Sequence, residues 1–126
     1  MTRPWMLWTG RVLSAIPVLL MIMSAVAKLM HAPNVVEGFG KFGIPAPLIT
    51  PIGLIELLCV ALYLVPQTAV LGAVLITGYL GGAVLTHWRA GEGPVALAPF
   101  FLGVFAWAGL WLRDTRLRDL LPTRRP

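Results

Sequence analysis

Charge is what this chain has least of. Only 12% of its 126 residues are Asp, Glu, Lys or Arg, where a soluble domain carries about 25%. That shortage excludes a fold with water on every side, and the 58% hydrophobic content and mean hydropathy of +0.83 agree. The expectation is an integral membrane protein. Cysteine is nearly absent too. A single Cys59 excludes an internal disulfide and Cys-x-x-Cys exchange, and the residue reads as a small buried hydrophobe. His87 has no second His, Cys or carboxylate cluster at ligand spacing, so no metal site is expected, and no cofactor motif is evident.

What is present is four long apolar runs, about residues 8–27, 48–64, 69–86 and 95–112. A helical span needs about 17–25 residues at 1.5 Å each. The fold class expected is therefore all-α: one domain over residues 1–126, a four-helix transmembrane bundle running up-down-up-down. Pro33 to Phe42 is too short and polar to cross. It reads as a short interfacial helix capped by Asn34, with Val35, Val36, Phe39 and Phe42 on the outer leaflet. Gly43-Ile-Pro-Ala-Pro47 then breaks the chain. Arg3 before an apolar run and Ala25-Val-Ala27 resemble a signal peptide, but Pro17 and three further runs favour a retained span. Trp5, Trp8, Trp88, Trp107 and Trp111 stand towards span ends, as interfacial anchors do.

The net charge of +5 is distributed for orientation, not for nucleic acid. Arg3, Arg11, Arg113, Arg116, Arg118, Arg124 and Arg125 flank the ends of runs one and four that share a side. Lys28, Lys41 and Arg89 lie on the other. Seven against three places both termini in the cytoplasm by the positive-inside rule, in a cell membrane of the bacterial inner-membrane type, with the lipid bilayer as first partner.

Glu56 stands alone inside the second run. An ionised carboxylate at mid-membrane costs about 2.5–3.5 kcal/mol on insertion scales, so a functional site is the default expectation. Counting from the cytoplasmic ends, Glu56 lies about 13 Å deep and Tyr79 about 15 Å. Arg11 is expected to reach up to them, giving a centre Arg11···Glu56···Tyr79. Glu56, Cys59 and Tyr63 share one helical face, as do Tyr79, Gly82, Ala83 and Thr86, while Ser14 lies one turn above Arg11. Lys28, His87 and Arg89 form a separate basic outer mouth suited to draw in an anionic or polar headgroup, with Lys28 too far up to reach Glu56 unless Pro17 bends its helix or water intervenes. Two readings stand for the carboxylate: a pin that fixes helix register, or part of a ligand site. Gly78 and Gly82 form a G-x-x-x-G pair, read either as packing inside the bundle or as a homodimer face.

These residues carry a resemblance. Gly10-Arg-Val-Leu-Ser14, Ser24-Ala-Val-Ala-Lys28-Leu29, Pro51-Ile-Gly53-Leu-Ile-Glu56-Leu57, Tyr63-Leu-Val-Pro66-Gln-Thr68, Gly72-Ala73 and Gly78-Tyr-Leu-Gly81-Gly82-Ala83 before Thr86-His87 are similar in order and spacing to the DoxX-like family of small four-helix membrane proteins. Ser24-Ala25 departs from the Ser-Gly usual there. The resemblance implies association with membrane redox complexes in some members, thiosulfate:quinone oxidoreductase among them, and oxidative-stress or chaperone-like roles in others. It singles out Arg11, Lys28, Glu56, Tyr79 and His87 without assigning them a role.

Three functions stay open at this point. The first is an accessory or redox-complex subunit binding a small lipid-soluble, quinone-like molecule, with Glu56, Arg11 and Tyr79 at the centre and Lys28, His87, Tyr63, Ser14 and Thr86 as further ligand contacts. The second is a membrane enzyme using Glu56 for acid–base chemistry on a lipophilic substrate. The third is a structural or chaperone-like module. A transporter is the least expected, because four short helices offer little for alternating access.

Overall fold

The computed structural model describes residues 2–125. The chain is all-α, with no strand among the described residues. Helix α1 (Pro4–Leu29) starts at the first-turn proline that helices favour and runs unbroken through Pro17. The short α2 (Pro33–Lys41) follows, then a 3-10 turn over Ala46–Leu48 that leads into α3 (Ile49–Leu64). A second 3-10 turn at Pro66–Thr68 feeds α4 (Ala69–Arg89). Helix α5 (Leu97–Arg113) and the short α6 (Thr115–Leu120) complete the chain.

Three stretches, Pro4–Leu29, Ala46–Leu64 and Pro66–Arg89, are long and apolar enough to cross a membrane; Leu97–Arg113 is equally apolar at 17 residues. Each of these four helices packs on two others: α1 on α3 and α5, and α4 on α3 and α5. The hydrophobic pattern is reversed relative to a water-soluble helix packing. Leu19, Met23, Leu54, Leu58, Val74, Leu85 and Phe100 all point outward at half exposure or more, while a Lys, a Glu and a Ser are buried inside. A helix apolar all round, as α3 is, belongs in lipid.

Glycine decides where the helices come closest. At the end of the molecule that holds both termini, α1 and α5 cross with backbones nearly touching. A Cβ on Gly10 would lie 2.6 Å from Arg113 Cγ and 2.7 Å from the Gly109 carbonyl oxygen, and one on Gly109 would run into Ser14. Gly72 likewise lets α4 lie against the backbone of Leu62 and Tyr63. Gly78 and Gly82 behave otherwise. A Cβ at either would meet nothing within 4 Å, so the G-x-x-x-G pair does not pack the helices of one chain together. At α2 the N-cap is Ala32, not Asn34, and no side chain caps it.

Candidate functional site

Glu56 is 3% exposed and Lys28 8%, and they are joined by an ion pair, Lys28 Nζ to Glu56 Oε1, at 2.8 Å. Lys28 Nζ also donates to Ser24 Oγ one turn earlier on α1. Close approach of the two helices makes the pair, and Gly53 makes the approach: a Cβ there would sit 3.1 Å from Lys28 Cβ and 3.3 Å from the Ala25 carbonyl oxygen. Gly53 lies one turn before Glu56, which sets the carboxylate just past the lysine.

Of the expected Arg11···Glu56···Tyr79 centre, Glu56 and Tyr79 do meet at one cavity, but Arg11 takes no part in it. Arg11 is exposed, its guanidinium 5.0 Å over the Trp8 ring, and Lys28, expected to be out of reach, holds the carboxylate instead. The reason lies in the direction of side chains. Helical side chains lean towards the N-terminus of their own helix. Because α1 and α3 run in opposite senses, Lys28 and Glu56 lean towards each other across the gap that a Cα count suggests. Arg11, on the same helix as Lys28, leans away from Glu56 for the same reason.

Around the pair is a cavity of about 390 Å³, within the size range of small-molecule sites. Glu56, Lys28, Tyr79, Thr86 and His87 all line it, and so does Ser24, one turn before Lys28 and not among the expected site residues. Met21, Leu80 and Leu102 supply apolar wall. Tyr79 presents its ring face 6.0 Å from Lys28 Nζ. The Thr86 hydroxyl donates to the Gly82 carbonyl, so it has only acceptor capacity to offer a ligand. Phe39 of α2 and Phe42 just after it, both half-buried, line this cavity, and Phe42 stacks edge-on against His87 at 5.0 Å.

The outer mouth is not a free basic funnel. Lys28 is neutralised by Glu56, His87 Nδ1 meets Glu92 Oε1 at 3.0 Å, and Arg89 Nη2 donates to the Phe42 carbonyl at 2.8 Å. That last bond ties α2 over the cavity.

Ser14 and Tyr63, expected as ligand contacts, lie in a different place. Arg113 Nη2 donates to Ser14 Oγ at 3.0 Å, Ser14 meets Tyr63 Oη at 2.8 Å, and Tyr63 donates to the Ala106 carbonyl at 2.6 Å. With Tyr63 giving its proton to Ala106, Ser14 must give its own to Tyr63, so the chain of donors runs one way and every hydroxyl is used. It ties α1, α3 and α5 together beside the Gly10–Gly109 crossing. Met21, Val60, Cys59 and Ile76 are buried in the same apolar core as Tyr63. Among the described residues no group of three or more His, Cys, Asp or Glu could hold a metal.

No curated protein and no solved structure matches the chain. The model of the DoxX-like family matches residues 12–109, a stretch that begins just after Arg11 and contains Lys28, Glu56, Tyr79 and His87. With apolar helices that fit a bilayer and a family match across most of its length, the chain is a membrane protein and belongs to the DoxX-like family.

Proposed function

We propose that this protein is a four-helix, up-down-up-down bundle of the cell membrane, both termini cytoplasmic, that holds a small lipid-soluble molecule in the cavity beside Lys28 and Glu56. A quinone-like molecule fits the description, and the protein would serve as an accessory or redox-complex subunit. The observation that carries the reading is the cavity itself: an apolar chamber between the helices with one buried ion pair on its wall. A register pin needs no empty volume around it. Ligand sites combine apolar walls with a few convergent polar groups, and this one offers the Lys28 ammonium, the Glu56 carboxylate and the Tyr79 hydroxyl on three different helices.

The test fills the cavity without touching its polar groups. Gly82 lies on the wall with open space where a side chain would go, so Gly82→Phe should insert and fold normally. It removes a helix glycine, which by itself favours the helix. Lipid extracts of the purified native protein and of the variant are compared by mass spectrometry. A small amphiphile present with the native protein and lost from Gly82→Phe is the expected result; identical extracts would refute the proposal.

A further inference from the structure

We infer that the cavity selects uncharged amphiphiles bearing a hydrogen-bond acceptor at one end, and that the Lys28–Glu56 pair sets this selectivity by presenting a wall of zero net charge. The inference rests on the cavity being a ligand site and adds the class of ligand it takes.

Among the described residues Lys28 and Glu56 are the cavity's only lysine and carboxylate, and they cancel at 2.8 Å. The remaining ionisable side chains on the wall are Tyr79 and His87, and His87 is held by Glu92. Arg89 keeps its charge but is not part of the cavity wall; its guanidinium lies outside, on the Phe42 carbonyl. A ligand bringing a formal charge into the cavity would find no unpaired counter-charge on its wall, and an unpaired charge in a lipid-embedded cavity is strongly disfavoured. The polar requirement follows from counting protons. An ammonium has three N–H donors. Glu56 takes one and Ser24 another, leaving one for a ligand acceptor such as a carbonyl oxygen. The apolar walls from Met21, Leu80 and Leu102, with Phe39 and Phe42 above, receive the rest of the molecule.

A distinctive consequence is that removing one partner should invert the selectivity. Glu56→Gln leaves the ammonium uncompensated, so the site should then take a carboxylate. Lys28→Met leaves the carboxylate, so it should take an ammonium. The probes are methyl dodecanoate, dodecanoate, dodecylammonium and tridecane, which share a chain and differ in head. Binding is measured on the full chain in nanodiscs of zwitterionic lipid, with Gly82→Phe subtracting partition into the bilayer and surface attraction. The native protein should prefer the ester over both ions and over the hydrocarbon by about tenfold or more. Glu56→Gln should bring dodecanoate above the ester, and Lys28→Met should do so for dodecylammonium. The exchanged pair, Lys28→Glu with Glu56→Lys, keeps the cavity neutral and should keep the preference for the ester; it carries the test if either single variant fails to fold. Dodecanoate binding the native protein as tightly as the ester, an unchanged order in Glu56→Gln, or a charged probe preferred by the exchanged pair would each overturn the inference while leaving the ligand site standing. No probe distinguishing the native protein from Gly82→Phe would overturn both.

Discussion

A buried ion pair is held less by mutual attraction than by the cost of leaving either member alone. Desolvation offsets most of the Coulombic gain, so breaking such a pair costs about 3–5 kcal/mol, whereas replacing both members with apolar residues is often close to neutral. Lys28 and Glu56 are suited to that comparison, with side chains 10% and 4% exposed. Lys28→Met and Glu56→Leu should each destabilise the fold by roughly 3–5 kcal/mol, and the double variant by far less than their sum. Reversible unfolding in mixed micelles measures all three; additive losses would mean that the two side chains do not depend on each other. The carboxylate was legible in the sequence because it is the sole acid in its run, and its partner was not. Depth counted along one helix says nothing about the lean of side chains on its antiparallel neighbour, and that lean brings Lys28 to Glu56 and turns Arg11 away.

At the level of helices, the glycines divide into those that touch a neighbour and those that do not. Gly72 has Tyr63 and Leu62 backbone where a side chain would go, and Gly109 has Ser14 and the Gly10 carbonyl. Backbone cannot rotate aside, so Gly72→Leu or Gly109→Leu should cost at least about 1–3 kcal/mol. Gly78→Leu, with nothing within 4 Å, should change the stability of the monomer by no more than about 0.5 kcal/mol. Thermal unfolding of the three variants side by side gives the answer; equal losses would show that the packing of α4 is not as described. The four apolar runs were readable from hydropathy, because a lipid-facing helix announces itself by composition. Which small residues face another helix was not, since Gly72 and Gly78 sit in the same apolar sequence and differ only in what lies opposite. Arg113 shows the same limit. By sequence it is one more orientation charge after an apolar run, and only the crossing at Gly10 and Gly109 places it on Ser14. The short α6 has a local signal, Asp114 accepting from the Arg116 and Leu117 amides as an N-cap, but directly after the apolar α5 that signal is easily overlooked.

For the molecule as a whole, the two ends differ in kind. One is closed by the Arg113–Ser14–Tyr63 clamp and the Gly10–Gly109 crossing; the other is hollow, holds the ion pair and is roofed by α2. Which end faces which compartment decides whether a ligand arrives from the lipid near the outer leaflet or from the cytoplasmic side. Seven of the ten basic residues belong to the clamped end, and a Lys/Arg excess of that kind marks the cytoplasmic side, so the hollow end should open towards the outer leaflet. By the same reasoning α2 and the α4–α5 connection should be extracytoplasmic. Single cysteines test this directly, because the native Cys59 is buried and contributes little background. On intact cells a membrane-impermeant maleimide should label Glu37→Cys and Ala90→Cys and spare Thr2→Cys and Thr123→Cys, all four of which replace residues outside the apolar segments. Lysed cells should label all four. Labelling of Thr123→Cys on intact cells would turn the molecule over, and with it the side from which the Lys28–Glu56 cavity is reached.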